Sequence, residues 1–507
     1  MIPQVRNKRR KIQQTNTSKA PHIKQFQTKH HKYIYDVHTS EILQVDDITY
    51  DIFSCSDNIL DAEAIKDRIA DKYPKEEVEC RLAKISGLAE KESLFSTRRP
   101  HGLKTALDAA ELKKYLDSKA SHLILNVTED CNLRCKYCIY SGTYKYHRTH
   151  NNRFMDPSVA KKAIDFFATH SIEADNPCVG FYGGEPLLDF RLIQECAQYI
   201  KTRIKQDIFL SLTSNGVLIN EEVAKFFIEY NVSVTISLDG PEEINDRFRV
   251  DKTGKGSFKK IIRNLRLIQN LDAQYYASNI SFNIVYGPPY QLLKIYEFFS
   301  ENKDLFYKHD IKISHISYFN TNFFDGFDKA ALACGELYEL EERFLKLLGD
   351  GYHSDGFFLD SLFEHRLMKI YKRGIYDRLE DTHFPNKICV PGMRRLFVDV
   401  NGKFYICEKL TSGLSIGDVD NGFDYNVILE LIGEYCKISA DDCCNCWAIR
   451  LCGACFISAS TDKLDINQKR AFCQYEKRNI ERDLVNYCSL LEKNPSALDY
   501  MKKIVIR

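Results

Sequence analysis

An α/β fold built in several domains is what this sequence predicts, and three observations carry that reading. Between residues 122 and 317, six short apolar runs alternate with amphipathic helical patterns, the rhythm of βα units with parallel strands. Ahead of them a smaller block joins two β-like runs to helical patterns. Behind them the chain turns dense in cysteine, with eight of its 18 thiols between Cys389 and Cys455. At 507 residues it exceeds what one hydrophobic core serves, and 44% apolar with 28% charged residues is a globular composition.

Residues 1 to 31 carry Arg6, Lys8, Arg9, Arg10, Lys11, Lys19, Lys24 and Lys29 without one acidic residue, so a solvated, disordered basic tail is expected. Net charge over the whole chain is only +1, which gives no pull toward nucleic acid or membrane. Apolar runs of spanning length and a cleavable secretory signal are both missing, so the expected location is the cytoplasm. A reducing compartment turns the cysteines from disulfides toward metal or cluster ligation.

Residues 32 to 95 read as a small winged-helix-like domain. Tyr33-Ile-Tyr-Asp-Val and Glu41-Ile-Leu-Gln-Val flank a His-Thr-Ser turn, and helical patterns follow at Ala62, Ile65, Ile69 and at Val78, Leu82, Ile85. A peptide-binding hairpin, a dimerisation module and a DNA-binding winged helix share this plan; the absence of a basic recognition helix disfavours DNA. Residues 96 to 121 look like a linker holding one helix, Asp108 to Asp117.

Strands are expected at 122–128, 178–183, 208–213, 232–238, 280–286 and 311–317, with helices such as Ala160, Ala163, Ile164, Phe167 and Phe258, Ile261, Ile262, Leu265, Ile268 between them. Right-handed crossovers between parallel strands make this an open or closed barrel. Residues 318 to 385 form a helical bridge, clearest at Leu337 to Leu348, and its Cys334 reads as merely buried. A cysteine-rich domain fills 386 to 480, and a C-terminal helix 481 to 507.

The chemistry centres on Cys131-x3-Cys135-x2-Cys138, placed just beyond the first barrel strand, where parallel α/β folds keep their active sites. Three thiolates hold three irons of a 4Fe-4S cube and leave the fourth iron open to a substrate or cofactor. Scattered buried cysteines and a zinc knot remain the alternatives on these residues alone.

The CxxxCxYC pattern resembles the signature of the radical S-adenosylmethionine (SAM) enzymes, and further segments match that family in order. Tyr182-Gly183-Gly184-Glu185-Pro186 resembles its GGEP motif. Thr213-Ser214-Asn215-Gly216 and Ser237-Leu-Asp239-Gly240-Pro241 end the third and fourth strands, and Arg249 follows. The resemblance implies a partial (β/α)6 barrel with a wide lateral mouth. It also implies a SAM site formed by Tyr137, Gly183, Gly184, Glu185, Pro186, Ser214, Asn215, Ser237, Asp239 and Arg249. In it the Glu185 carboxylate would meet the methionine ammonium, Ser237 and Asn215 the ribose or carboxylate, and Arg249 the carboxylate.

The third domain resembles the auxiliary-cluster pattern called SPASM: Cys389-x12-Gly402-x4-Cys407, then Cys443-x2-Cys446-x5-Cys452-x2-Cys455, then Cys473. The pattern normally has x3 where this chain has x2 between Cys452 and Cys455, and Cys436 and Cys444 are extra. The resemblance implies one or two auxiliary 4Fe-4S clusters, with Cys389, Cys407 and Cys455 on one and Cys443, Cys446, Cys452 and Cys473 on another. A zinc ribbon built on the CxxC pairs is the competing reading of the spacing.

Together these features resemble a peptide maturase of the sactipeptide, thioether-forming type. It would link a cysteine sulfur to an α-carbon of a ribosomally made precursor through a 5′-deoxyadenosyl radical. Residues 32 to 95 would bind the leader peptide by strand addition, and a flavodoxin or ferredoxin would supply electrons. The rival is an anaerobic sulfatase maturase that makes formylglycine; it places an Asp directly after the GxxxxC cysteine as base, where this chain has Glu408. A non-catalytic iron–sulfur or zinc scaffold that binds peptide stands apart from both.

Overall fold

Three strands and three helices open the structure, a computed structural model that describes residues 20–55, 62–104, 108–352, 357–386, 388–410 and 413–504. β1 (Ile23–Gln27) pairs antiparallel with β2 (Lys32–Asp36), and β2 with β3 (Ile42–Val45). β1 corrects the expectation of a disordered tail reaching residue 31. Its Phe26 is buried, and Lys24, one of the tail's charges, meets Glu481 at 2.8 Å. The tail's remainder, 1–19, lies outside the described residues.

Helices α1 (Asp47–Cys55), α2 (Ala62–Ile69) and α3 (Lys75–Glu92) follow. Alternation along β2 gives its sheet two buried faces. Ile34 packs on Ile52, Ile65, Val78 and Leu82 of the unit's own helices. Tyr33 and Tyr35 point the other way, onto Ile449, Leu451, Ile480 and Leu484. The amino-terminal unit is therefore docked on the cysteine-rich segment.

The expected linker contributes a strand, β4 (Gly102–Leu103), before α4 (Ala109–Ser118). α4 begins at a capping box in which the Asp108 and Glu111 side chains each accept the other's backbone N–H. Next come β5 (His122–Thr128), α5 (Pro157–His170), β6 (Cys178–Gly183), α6 (Phe190–Arg203), β7 (Phe209–Ser214), α7 (Glu221–Glu229) and β8 (Ser233–Ser237). α8 (Glu242–Phe248), α9 (Phe258–Leu271), α10 (Ala273–Asn279), β9 (Ile280–Tyr286), α11 (Leu292–Glu301), α12 (Lys303–Phe306) and β10 (Ile311–His315) complete the repeat. The six strands β5 to β10 are parallel and adjacent in chain order, and each matches an expected strand. β10 and β5 do not pair, so the barrel is open.

The bridge holds α13 (Gly335–Gly349) and α14 (His365–Tyr371), then β11 (Thr382–His383), which pairs with β4. β12 (Leu396–Val398) adds in parallel to the outer edge of β5, and β13 (Lys403–Tyr405), β14 (Ser415–Asp418) and β15 (Gly422–Phe423) extend the same sheet antiparallel. The long helices α15 (Tyr425–Cys444) and α16 (Ile466–Lys493) close the chain. α16 crosses the boundary expected at residue 480: its start is fixed by Asp465, whose side chain accepts from the N–H groups of Asn467 and Gln468. One core runs through both halves, joining Phe181, Leu212 and Phe282 of the barrel to Phe404, Leu431 and Phe456. No described helix is long and apolar enough to cross a membrane.

Candidate active site

β5 is buried almost throughout and delivers the cysteine loop to the carboxyl ends of the parallel strands. The loop is tied to the segment after α8: Arg134 N–H donates to the Val250 carbonyl at 2.7 Å, and Lys136 N–H to Phe248 at 3.2 Å. Backbone N–H groups of Leu133 and Tyr140 point at the sulfurs of Cys131 and Cys138, each at 3.4 Å, the contacts that stabilise thiolates on a cluster. Burial raises all three thiols, Cys138 to about 12, so without a metal they stay protonated.

Tyr137 locks the loop from beneath. Its hydroxyl donates to Asp239 and accepts from Arg249 Nη1 at 2.8 Å, while Asp239 takes the Val285 N–H at 2.9 Å. All three side chains are buried. Arg249 Nε has no partner, and Arg249 lines the cavity beside the cysteines.

The Gly-Gly-Glu-Pro segment follows β6 and runs against the loop before Cys131. Gly184 N–H donates to the Thr128 carbonyl at 2.8 Å and Glu185 N–H to Asp130 at 2.9 Å. Gly183 has a φ of +142°, and a Cβ there would strike the Thr128 carbonyl; one on Gly184 would strike that of Asp130. The paired glycines thus fit the cysteine loop itself. Glu185 is fully buried and accepts from Ser214 Oγ at 2.8 Å, Asn215 N–H at 2.7 Å and Leu187 N–H at 3.1 Å. Its pKa is pushed up to about 7 by burial, against those donors. The carboxylate expected to face an ammonium also ties the strand ends together through these donors.

A cavity of about 560 Å³ lies inside the barrel. Cys131, Cys135, Cys138, Tyr137, Gly183, Gly184, Ser214, Asn215, Ser237 and Arg249 line it; Glu185, Pro186 and Asp239 sit behind. Asn215 is already engaged, donating to Asn132 Oδ1 at 2.7 Å and accepting from Val217 N–H at 3.0 Å. Ser237's hydroxyl has no partner among the described residues.

Sequence reasoning missed much of the cavity wall. Gly180, Ser211 and Thr213, Thr235, Asn283 and Val285, and Lys312 and Ser314 all face it. Residues two apart on a strand share a face, so, Val285 aside, small or polar residues at alternate strand positions were the available signal. His122 and His315 also line the wall; burial lowers both to about 4, leaving neutral imidazoles.

Glu408 enters the same cavity because β12 and β13 extend the sheet beyond β5. Arg395 donates from Nη1 to its Oε1 at 2.6 Å, and Oε2 has no partner. Burial, the largest single influence, pushes this carboxyl up, but Arg395, the residue's own backbone N–H and Lys409 together hold it below the usual glutamate range. It is an ionised acceptor with one free oxygen.

The seven cysteines expected on auxiliary clusters fall into two groups. Cys443, Cys446, Cys452 and Cys473, from α15, the loop after it and α16, line a second cavity of about 290 Å³. Cys389 and Cys407 each lie within electrostatic reach of Cys455. The shortened spacing between Cys452 and Cys455 therefore still sends them to different groups. Cys436 and Cys444 are buried and line neither cavity. Among the described residues no three His, Cys, Asp or Glu side chains stand close enough to hold a single metal ion. Each thiolate of a 4Fe-4S cube binds a different corner, which spreads the sulfurs farther than one zinc at about 2.3 Å does.

Residues 125–299 match the Radical SAM superfamily. A cysteine-type anaerobic sulfatase-maturating enzyme of Clostridium novyi is 34% identical over 189 residues, 36% of this chain and 48% of the relative. The radical SAM cyclopropyl synthase TigE of Paramaledivibacter caminithermalis is 30% identical over 159 residues, 30% of this chain and 33% of that protein. The chain thus spans half or less of the length of these curated relatives. Among solved structures, native anSMEcpe with bound AdoMet superposes with a TM-score of 0.53 at 22% identity, covering 76% of this chain and 100% of that one. The chain carries a radical SAM domain in an α/β fold with a central parallel sheet. Such a domain works with S-adenosylmethionine and a 4Fe-4S cluster, and the residues fit that pair. Three thiols share one wall with the unpartnered Arg249 Nε and Ser237 hydroxyl, in a cavity within the ~300–1,000 Å³ usual for cofactors.

Proposed function

We propose that this chain is a radical SAM peptide maturase that cross-links a precursor peptide, joining cysteine sulfur to α-carbon. In that reading Cys131, Cys135 and Cys138 hold the cluster, while Arg249, Ser237 and the backbone of Gly183 and Gly184 face S-adenosylmethionine. When bound, the pair supplies a radical that takes a hydrogen atom from the substrate carbon. The chain's own residues exclude water and accept the proton the thiol releases, at Glu408 Oε2. Cys389, Cys407 and Cys455, and Cys443, Cys446, Cys452 and Cys473, would hold auxiliary clusters able to accept the remaining electron, and a flavodoxin or ferredoxin would be the donor that starts each cycle.

The free outer edge of β3 carries the peptide reading. Asp36 N–H bonds the Glu41 carbonyl at 2.9 Å; by antiparallel alternation Ile42 and Gln44 turn their N–H and C=O groups outward. No strand covers them among the described residues, and β1, on the opposite edge, meets α16 through Lys24 and Glu481. A leader peptide adding there gains main-chain hydrogen bonds. Co-expression with a short cysteine-rich precursor tests the function: the account expects loss of two hydrogens per cross-link, with blocked thiols.

Sulfatase maturation is the second reading, favoured by the relatives and by Glu408 directly after Cys407. It predicts an aldehyde trapped by a hydrazide reagent in a Cys- or Ser-containing sulfatase peptide, without need of β3.

A further inference from the structure

Lys469, in the first turn of α16, is only 2% exposed. Its ammonium donates to Cys443 Sγ at 3.0 Å and lies 4.9 Å from the centre of the Tyr435 ring. No carboxylate pairs with it among the described residues: Asp442, on the same cavity wall, is taken by Arg470 at 2.7 Å. An ammonium out of water with no carboxylate in ion-pair contact is costly, and a helix's first turn repels positive charge further. The cavity it faces is lined by Cys443, Cys446, Cys452 and Cys473. A cluster on four thiolates is anionic, and more so once reduced. A fixed positive charge at a cluster sulfur therefore favours the reduced form.

We infer that Lys469 is a positioning residue that raises the reduction potential of the cluster held by these four cysteines, through its contact with Cys443. The inference rests on the proposed auxiliary clusters. Its chemistry is one electron gained by the cluster, supplied by the titrant, with no bond made or broken in the protein.

The test is a mediated potentiometric titration followed by EPR on the full chain, reconstituted anaerobically with iron and sulfide. Cys131, Cys135 and Cys138 are changed to Ala so that only auxiliary signals remain. The relevant transition is the one lost in an added Cys473→Ala. Lys469→Met should shift its midpoint to a more negative potential at equal iron content, and Lys469→Arg should hold it near the parent. Iron loss in Lys469→Met but not in Lys469→Arg also supports the charge role. An unchanged midpoint in Lys469→Met, or iron loss in both variants, overturns it. If the parent shows no transition that Cys473→Ala removes, or binds zinc there, the auxiliary-cluster reading itself has failed.

Discussion

Glu185 and Glu408 are two buried carboxyls with opposite duties. Three donors surround Glu185, two of them backbone N–H groups on different strand ends. An amide in its place must turn an NH2 toward one of those donors. Glu185→Gln should therefore cost ~1–3 kcal/mol of stability, seen as a lower urea midpoint; an unchanged midpoint contradicts its role in tying the strand ends together. For Glu408 the sign follows from Arg395, the strongest of the groups that against burial hold this carboxyl below its ordinary range. A base so held stays ionised as pH falls, and activity is lost only below its depressed pKa. Removing the guanidinium leaves burial opposed by less, so Arg395→Gln should move the acidic limb of the pH–rate profile to higher pH. A limb that stays in place removes Glu408 from the proton path. The cysteines were legible in the sequence because their spacing is rare. Tyr137, Asp239 and Arg249 were expected in the SAM site, but the network that ties them together was not legible, since they meet only across folded strand ends.

At the scale of elements, six barrel strands stood out because each is a short run rich in apolar residues, read against helical neighbours. β1 and β12 did not. β1 hides in a basic stretch whose Lys24 is neutralised by a residue far along the chain, and β12 is three residues that become a strand only beside β5. The edge of β3 yields the sharpest element-level prediction. Gln44→Pro deletes one outward N–H while the inward hydrogen bonds of Leu43 and Val45 remain. It should abolish leader-dependent modification and leave SAM cleavage near wild type, measured side by side in one reaction. Full modification by that variant would place the peptide elsewhere.

Taken whole, the molecule has fewer independent parts than its sequence implied. β1 and β2 cover Ile449, Leu451, Ile480 and Leu484, so deleting residues 1 to 95 strips an apolar face beside the second cysteine cavity. That truncation should aggregate or lose auxiliary iron, by size-exclusion chromatography and metal analysis, whereas a fully loaded monomer would show the docking to be dispensable. The barrel and the cysteine-rich segment likewise share one core, because β12 continues the barrel's sheet. The central claim is that Cys131, Cys135 and Cys138 hold a cluster with an open iron at the barrel mouth. The most direct measurement is 5′-deoxyadenosine released from SAM by the anaerobically reconstituted full chain under dithionite. The account predicts a brown protein that forms it and a Cys135→Ala variant that forms none; a colourless zinc protein, or a variant as active as its parent, would contradict it.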